Sequence, residues 1–107
     1  MHIEYDNDEI ENFIKYGLGD SPPYRKWKSN KELRDNLDKV MVILERVSNC
    51  EGLRCYRSLN YESLEYDREG QSCVRIGYKT KFRLIFEELE NGIRIKIIEI
   101  SEHYGDK

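Results

Sequence analysis

The first half of the chain has apolar residues at the spacing of amphipathic helices. After a short segment at 3–5 that favours a strand, the apolar positions within 10–18 recur every three or four residues, and Gly17 can end this helix. The pattern within 33–47 is stronger, and residues 29–32, Ser-Asn-Lys-Glu, form a capping box at its start. The sequence therefore predicts one short strand followed by two helices.

From residue 53 onward the period of the apolar residues changes from that of a helix to that of a strand. The predicted strands are 54–59, 72–77, 82–87 and 93–101. A polar loop over 60–71 separates the first two, and Asn-Gly, a typical hairpin turn, precedes the last. The pattern shifts by one residue at Ile97-Ile98, which indicates either a bulge or a strand buried on both faces.

These elements predict a single α+β domain over residues 1–107, with the order β-α-α-β-β-β-β. In this interpretation the two N-terminal helices pack on one face of a small antiparallel sheet. Because two helices can cover only one face, the other face is expected to be open. Pleat alternation puts Arg75, Arg83 and His103 on that open face.

Composition and length are typical of a small folded domain. The chain has 107 residues, a mean hydropathy of −0.81 and 11% aromatic residues. No apolar run approaches the length of a membrane span, and the N-terminus lacks the basic and apolar regions of a signal peptide. We therefore expect a cytoplasmic protein without a membrane partner.

The three cysteines and two histidines do not form a spaced set of metal ligands. Cys50, Cys55 and Cys73 contain no CxxC pair, and the histidines stand near opposite ends of the chain, at positions 2 and 103. A structural zinc site needs four well-spaced ligands. We therefore predict free thiols, no metal and no cofactor.

The formal net charge of −3 conceals two basic clusters. Residues 21–34 carry five basic residues and one acidic residue, and residues 75–83 carry four basic residues and no acidic one. Such clusters permit binding of a polyanion, although most charge clusters are only solvated surfaces. The motifs that surround a cluster decide between these two interpretations.

Two strand motifs carry a resemblance to a known family. Residues 72–76 read Ser-Cys-Val-Arg-Ile, and residues 82–86 read Phe-Arg-Leu-Ile-Phe. In these motifs and in the order of its elements the chain resembles the RelE/ParE superfamily of bacterial toxins, most closely the HigB and YoeB branches. The resemblance implies the toxin of a type II toxin–antitoxin system, with a cognate antitoxin as partner. It also implies a ribosome-dependent endonuclease that cleaves mRNA in the ribosomal A site.

The resemblance extends to individual site residues. In YoeB-like members a glutamate in a Glu-x-Leu unit lies thirteen residues before the arginine of the first motif, and Glu62 stands at that distance from Arg75. The arginine of the second motif is Arg83, and the His-Tyr pair that closes these chains is His103-Tyr104. The two motif arginines are eight residues apart, two more than is common in the family, so the hairpin between them is longer.

RNA cleavage of this kind needs neither a metal nor an added nucleophile. A base takes the proton of a 2′-OH, a cation stabilises the charge on the attacked phosphate, and an acid protonates the leaving 5′-oxygen. We expect Glu62 to be the base, Arg83 the charge-stabilising cation and His103 the acid. Arg75 is expected to bind phosphate, because guanidinium matches phosphate geometry.

Other residues near the motifs are candidates for holding the RNA. Tyr61, Tyr78 and Tyr104 can stack on bases, which is common in RNA recognition. Lys79 and Lys81, in the hairpin between the two motifs, can contact the phosphate backbone. Each residue also has an ordinary structural alternative, since tyrosines serve in cores and charged side chains form surface ion pairs.

Two other functions stay open from the sequence. A ParE-like inhibitor of DNA gyrase shares the fold but does not use this acid–base set, and a supercoiling assay separates the two. A toxin-like domain without activity, kept as a binding module, is favoured by the acidic net charge and the longer hairpin. The joint presence of Glu62, Arg83 and His103 favours the RNA-cleaving toxin.

Overall fold

The computed structural model describes residues 1–65 and 68–102. The strands are β1 (His2–Tyr5), β2 (Glu62–Ser63), β3 (Gln71–Arg75), β4 (Arg83–Leu89) and β5 (Arg94–Ser101). The helices are α1 (Asp8–Tyr16), α2 (Tyr24–Trp27) and α3 (Lys31–Arg46), with 3-10 turns at Cys50–Cys55, Arg57–Leu59 and Glu90–Gly92. The predicted α+β class and element order are confirmed, with α2 as one added short helix. No helix in the described ranges is long and apolar enough to span a bilayer.

Asparagine side chains cap both long helices at their N-termini. Asn7 Oδ1 accepts a hydrogen bond from the Ile10 N–H at 3.0 Å, and Asn30 Oδ1 accepts one from the Leu33 N–H at 3.0 Å. These bonds satisfy N–H groups that have no partner within a first helical turn. The capping-box prediction places the cap of α3 one residue too early, since Asn30 and not Ser29 occupies it.

The sheet has five strands in the order β1-β5-β4-β3-β2. All neighbouring strands are antiparallel except β1 and β5, which are parallel, so the predicted antiparallel sheet is corrected to a mixed one. The helices connect β1, at one edge of the sheet, to β2 at the opposite edge. The chain then reverses direction three times, so that β5 lies beside β1 and runs parallel to it. Side chains alternate with a period of two in both parallel and antiparallel strands, so the sequence pattern does not distinguish the two kinds of pairing.

The predicted strand over 54–59 is wrong. The chain forms two 3-10 turns in this region, and the edge strand of the sheet is β2, which lies within the predicted polar loop. Leu53 and Leu59 are buried, and Tyr56 lies between them at a spacing of three. All three side chains pack in or against the main core, with Tyr56 standing between the two turns. The backbone bonds locally, from the Tyr56 N–H to the Leu53 carbonyl and from the Leu59 N–H to the Tyr56 carbonyl, each at 3.0 Å, so these apolar residues reach the core without forming a strand.

The main core lies between the helices and one face of the sheet. Phe13, Leu37 and Phe86 are at most 1% exposed, and burial of each side chain contributes roughly 1.5–3 kcal/mol. Trp27 of α2 closes one end of this core and packs edge-on against Phe82, with 5.5 Å between the ring centres. This packing holds the sheet in place, so that its opposite face has a defined geometry.

β5 contains a bulge, one of the two alternatives that the shift in the pattern indicated. Ile97 and Glu99 pair with consecutive residues of β4, so Ile98 is an extra residue in β5. A bulge of this kind reverses the side-chain phase of the strand beyond it. As a result Ser101, the last residue of β5, lies directly opposite Arg83.

The sheet face away from the helices is partly covered, in contrast to the expected open face. Leu64 follows β2 and packs with Cys73 and Ile85, and all three side chains are at most 5% exposed. Arg68 also forms an ion pair with Glu99 of β5 at 3.1 Å. Leu64 and Arg68 therefore cover part of this face. Strand alternation does not indicate this cover, because Leu64 belongs to a segment whose composition is polar.

Candidate active site

Two adjacent rows of cross-strand neighbours form the candidate site on the face away from the helices. In one row Arg75 of β3 lies opposite Arg83 of β4, which lies opposite Ser101 of β5. In the other row Glu62 of β2 lies opposite Cys73 of β3. Because directly paired residues point to the same face, Glu62, Arg75 and Arg83 come together across three strands.

Glu62, Cys73 and Arg83 meet in a triangle. Glu62 Oε1, Arg83 Nη1 and Cys73 Sγ lie 3.8 Å from one another. At this distance the carboxylate attracts the guanidinium without a hydrogen bond of ordinary length, so Glu62 does not engage the N–H groups of Arg83. The Arg83 side chain is 12% exposed and that of Glu62 is 47% exposed. The site therefore combines a largely buried cation with a carboxylate that reaches solvent.

Cys73 serves this triangle as a neutral side chain. Burial raises the pKa of its thiol from 9.0 to about 11, while the positive charge of Arg83 opposes the rise. The thiol is therefore protonated at physiological pH. Since the thiolate is the nucleophilic form, Cys73 is not a reactive group, and its S–H can act as a weak donor towards Glu62.

Arg75 has no ion pair with any residue in the described ranges. The carboxylates of Glu87 and Glu99 on the neighbouring strands pair with a lysine and another arginine. Like charges directly opposite each other destabilise a sheet, and Arg75 faces Arg83 in this way. A guanidinium group binds phosphate through two parallel hydrogen bonds. The pair of arginines can therefore hold an anionic group beside Glu62.

The hairpin between β3 and β4 carries the remaining basic candidates. Tyr78 is 76% exposed, and Lys79 Nζ lies 5.3 Å from the centre of its ring. Lys81 forms an ion pair with Glu102 at 3.7 Å, so part of its charge is neutralised. Tyr78 and Lys79 are thus the hairpin side chains that a large ligand can contact most readily.

Tyr61 does not join this site, because it lies on the helix side of the sheet. Its ring stacks on Phe86 with 6.4 Å between ring centres, and the Arg54 guanidinium lies 4.9 Å from its ring centre. Burial and a hydrogen bond to Glu88 raise the pKa of its phenol. Since its ring packs against the core on the helix side, Tyr61 does not share the face of Glu62 and Arg83 where we expected it to stack on a base, and it instead anchors β2 to the core.

The sequence pattern does not single out Glu88, although this residue supports the site from the helix side of the sheet. Its carboxylate accepts hydrogen bonds from the hydroxyls of Tyr61 and Ser72, and Ser72 is only 2% exposed. These bonds connect β2, β3 and β4 beneath Glu62. One sequence feature could have identified Glu88: it continues the series of core-facing residues in β4, and a carboxylate at such a position indicates a buried polar contact.

His103 and Tyr104 lie outside the described residues, so their roles stay predictions. Ser101, which lies opposite Arg83, precedes His103 by two positions in the sequence. Within residues 1–65 and 68–102, no group of three or more His, Cys, Asp or Glu side chains could hold a metal ion.

The fold is similar to that of solved bacterial toxin structures. A YoeB/ParE toxin from Agrobacterium tumefaciens is 13% identical, with a TM-score of 0.56 over 97% of this chain and 100% of that chain. A chain of the YoeB–YefM complex from Staphylococcus aureus is 19% identical, with a TM-score of 0.58 over 97% of this chain and 98% of that chain. No protein-family model and no curated protein matches the sequence. The chain therefore has the fold of the YoeB/ParE toxins, as its strand motifs indicated.

Proposed function

We propose that the protein is the toxin of a type II toxin–antitoxin system and a ribosome-dependent mRNA endonuclease. The observation that carries this proposal is the position of Glu62, 3.8 Å from the Arg83 guanidinium and one row away from Arg75. A carboxylate and two cations on one surface supply the base and the charge stabilisation that metal-independent RNA cleavage needs. The likeness of the fold to YoeB/ParE toxins supports the proposal.

In the proposed reaction the Glu62 carboxylate takes the proton of a ribose 2′-OH. The 2′-oxygen attacks the adjacent phosphorus, and the bond from phosphorus to the 5′-oxygen of the next nucleotide breaks. His103 donates its proton to this leaving oxygen. The products are a 2′,3′-cyclic phosphate and a free 5′-OH, and no water is consumed. The 47% exposure of the Glu62 side chain supports this role, because a ribose can reach the carboxylate.

The two arginines have different proposed roles. Arg83 is held at 12% exposure and stabilises the negative charge that develops on the phosphate oxygens during attack. A buried cation acts more strongly than an exposed one, since less water screens it. Arg75 binds a non-bridging phosphate oxygen and positions the backbone. Loss of one such donor typically reduces the rate by roughly 10²–10³.

The proposal includes macromolecular partners. The substrate is mRNA in the ribosomal A site, in the cytoplasm, and Lys79 and Lys81 on the hairpin are proposed to contact its phosphates. The second partner is a cognate antitoxin, as the similarity to a toxin solved in a YoeB–YefM complex supports. Tyr104, like His103, is proposed to complete the site from the end of the chain.

The test is primer extension on an mRNA that is translated in a purified system, with and without the protein. We expect cuts within codons that depend on ribosomes. Glu62→Gln and His103→Gln should each reduce cleavage by roughly 10²–10⁴, the usual contribution of general acid–base catalysis. The matched control is Glu51→Gln, which removes an exposed carboxylate that also pairs with an arginine, Arg54, outside the site.

Each result has a defined meaning. Full activity in Glu62→Gln or His103→Gln would contradict the role assigned to that residue. Absence of cleavage by folded wild-type protein would contradict the endonuclease itself. Inhibition of DNA supercoiling by gyrase in that case would support the ParE-like alternative, and no effect in either assay would support an inactive binding module.

A further inference from the structure

A groove of about 310 Å³ lies between α3 and the hairpin that joins β3 to β4. The residues that matter here are Asn36, Lys39 and Val40 of α3, Leu59 before β2, Arg75 at the end of β3, and Tyr78 on the hairpin. Its volume is at the low end of the range for small-molecule sites, which suits one planar group. Arg75, at the end of β3, borders this groove and is also the cross-strand partner of Arg83 on the opposite face of the sheet. Arg75 is therefore the residue that connects the groove, on the helix side, with the candidate active site.

The floor of the groove is apolar and its rim is basic. Val40 and Leu59 are each 3% exposed and form part of the floor. Lys39 and Arg75 lie at the rim, and neither forms an ion pair within the described ranges. Among the residues that the structure describes, nine line the groove and none of these is acidic, in a chain with 21 acidic residues. The groove therefore favours a ligand that joins an apolar planar part to a negative charge.

The side chains of Tyr78 and Asn36 at the groove are suited to a nucleobase, and the Lys79 ammonium, 5.3 Å from the Tyr78 ring centre, adds positive charge there. Tyr78 is 76% exposed at the rim, and an exposed ring beside a basic groove is a stacking platform. Asn36 is partly buried, packs against Gly77, and makes no hydrogen bond to another described residue through its side-chain amide. A free carboxamide offers both a donor and acceptor lone pairs, the combination that reads the edge of a base.

We propose that this groove is a nucleobase subsite for single-stranded RNA. The base lies over Val40 and Leu59 and stacks on Tyr78, its edge is read by Asn36, and Arg75 binds the phosphate that joins this nucleotide to the one at Glu62. The choice of RNA as ligand rests on the proposed function. An acidic peptide would also match the charge of the rim. The free carboxamide of Asn36 and the exposed ring of Tyr78 favour RNA, because a base has both a planar face to stack and an edge with donors and acceptors.

Binding to short 2′-O-methyl RNA tests the subsite without cleavage, because these oligonucleotides lack the attacking 2′-OH. Fluorescence anisotropy with the four homopolymeric tetranucleotides gives affinity and base preference. Tyr78→Ala should weaken binding roughly 5- to 100-fold through loss of stacking, whereas Tyr78→Phe keeps the ring and binds like wild type. Tyr16→Ala is the matched control, since Tyr16 is 65% exposed and lies outside the groove.

Asn36→Ala gives the specific readout. It should flatten the preference among the four tetranucleotides by roughly 10-fold or more while the protein stays folded, since a good base-edge contact discriminates by about that factor. Unchanged binding and unchanged base preference in both Tyr78→Ala and Asn36→Ala would overturn the subsite. A glutamate-rich peptide that binds the groove and is lost in Lys39→Gln, with no RNA binding at all, would overturn it as well.

The binding and cleavage assays separate the two proposals. Base-selective RNA binding that depends on Asn36 and Tyr78, together with no cleavage of translated mRNA, would overturn the endonuclease and support the subsite. Ribosome-dependent cleavage whose rate and sequence preference do not change in Asn36→Ala and Tyr78→Ala would support the endonuclease and overturn the subsite.

Discussion

Arg75 and Arg83 are direct cross-strand neighbours, and Glu62 lies 3.8 Å from the second of them. Within the described ranges Arg75 has no carboxylate of its own. Such an arrangement costs stability, because two guanidinium groups that face each other across a sheet repel. A bound phosphate removes that repulsion. The pair is therefore suited to an anionic ligand and is poorly suited to stabilising the free protein.

Substitution of Arg75 by Gln should separate binding from stability. We expect the free energy of unfolding to stay the same or to rise by up to about 1 kcal/mol, since a like-charge pair is removed. Cleavage should fall roughly 10²–10³-fold, because a phosphate donor is lost. Urea denaturation and primer extension measure the two effects. A stability loss well above 1 kcal/mol would mean that Arg75 is a structural residue.

Tyr61→Phe should weaken the contacts that hold β2 to the core on the helix side of the sheet. The hydroxyl of Tyr61 donates to Glu88, and its removal leaves that partly buried carboxylate with one donor fewer. We expect a loss of about 1–2 kcal/mol in the free energy of unfolding, measured in urea. Tyr16→Phe, at an exposed ring, should show no loss. Equal stability of both variants would contradict the anchoring role.

The three thiols should react with a thiol reagent at very different rates. Cys55 is exposed, whereas Cys50 and Cys73 are buried, and burial raises the pKa of both buried thiols. At pH 7.5 we expect rapid modification of one thiol per chain and slow modification of the other two, which become reactive in urea. Cys55→Ser should abolish the rapid phase. A rapid phase that survives this substitution would show that a buried thiol is accessible.

Stability should decrease at alkaline pH. Burial raises the pKa of Cys50 from 9.0 to about 12 and that of Cys73 from 9.0 to about 11. Between these values the folded state holds protons that the unfolded state has lost, so stability is complete below about pH 9 and falls as the pH rises through the folded pKa values. Each thiol lowers the free energy of unfolding by at most about 1.4 kcal/mol per pH unit in that window.

Urea midpoints at pH 7.5, 9 and 10.5 measure this decrease. Cys73→Ala should give a shallower fall than wild type, because one of the titrating thiols is absent. Cys55→Ala should keep the wild-type slope, since Cys55 is exposed. Equal stability at pH 7.5 and pH 10.5 would contradict the prediction.

Local patterns along the chain predicted the parts of the site that depend on neighbouring strands. Period-two alternation within the two strands is enough to put Arg75 and Arg83 on one face, and the structure pairs them directly. The apolar spacing also predicted α1 and α3. The same approach failed at 54–59, where apolar residues reach the core from two 3-10 turns that local backbone hydrogen bonds close.

Contacts between residues far apart in the sequence determined the remaining features of the fold and of the candidate site. The parallel pairing of β1 with β5, the cover that Leu64 provides over Cys73, and the hydrogen bond from Tyr61 to Glu88 join residues far apart in the chain. Periodicity reports only which side of an element is apolar, and it does not report which distant element packs there. The chain's pattern therefore settled the class of fold and the arginine pair. Tertiary packing determined how Glu62 is held beside the two arginines. The reason is that β2 has only two paired residues in the described part of the chain and is held by contacts on both faces of the sheet.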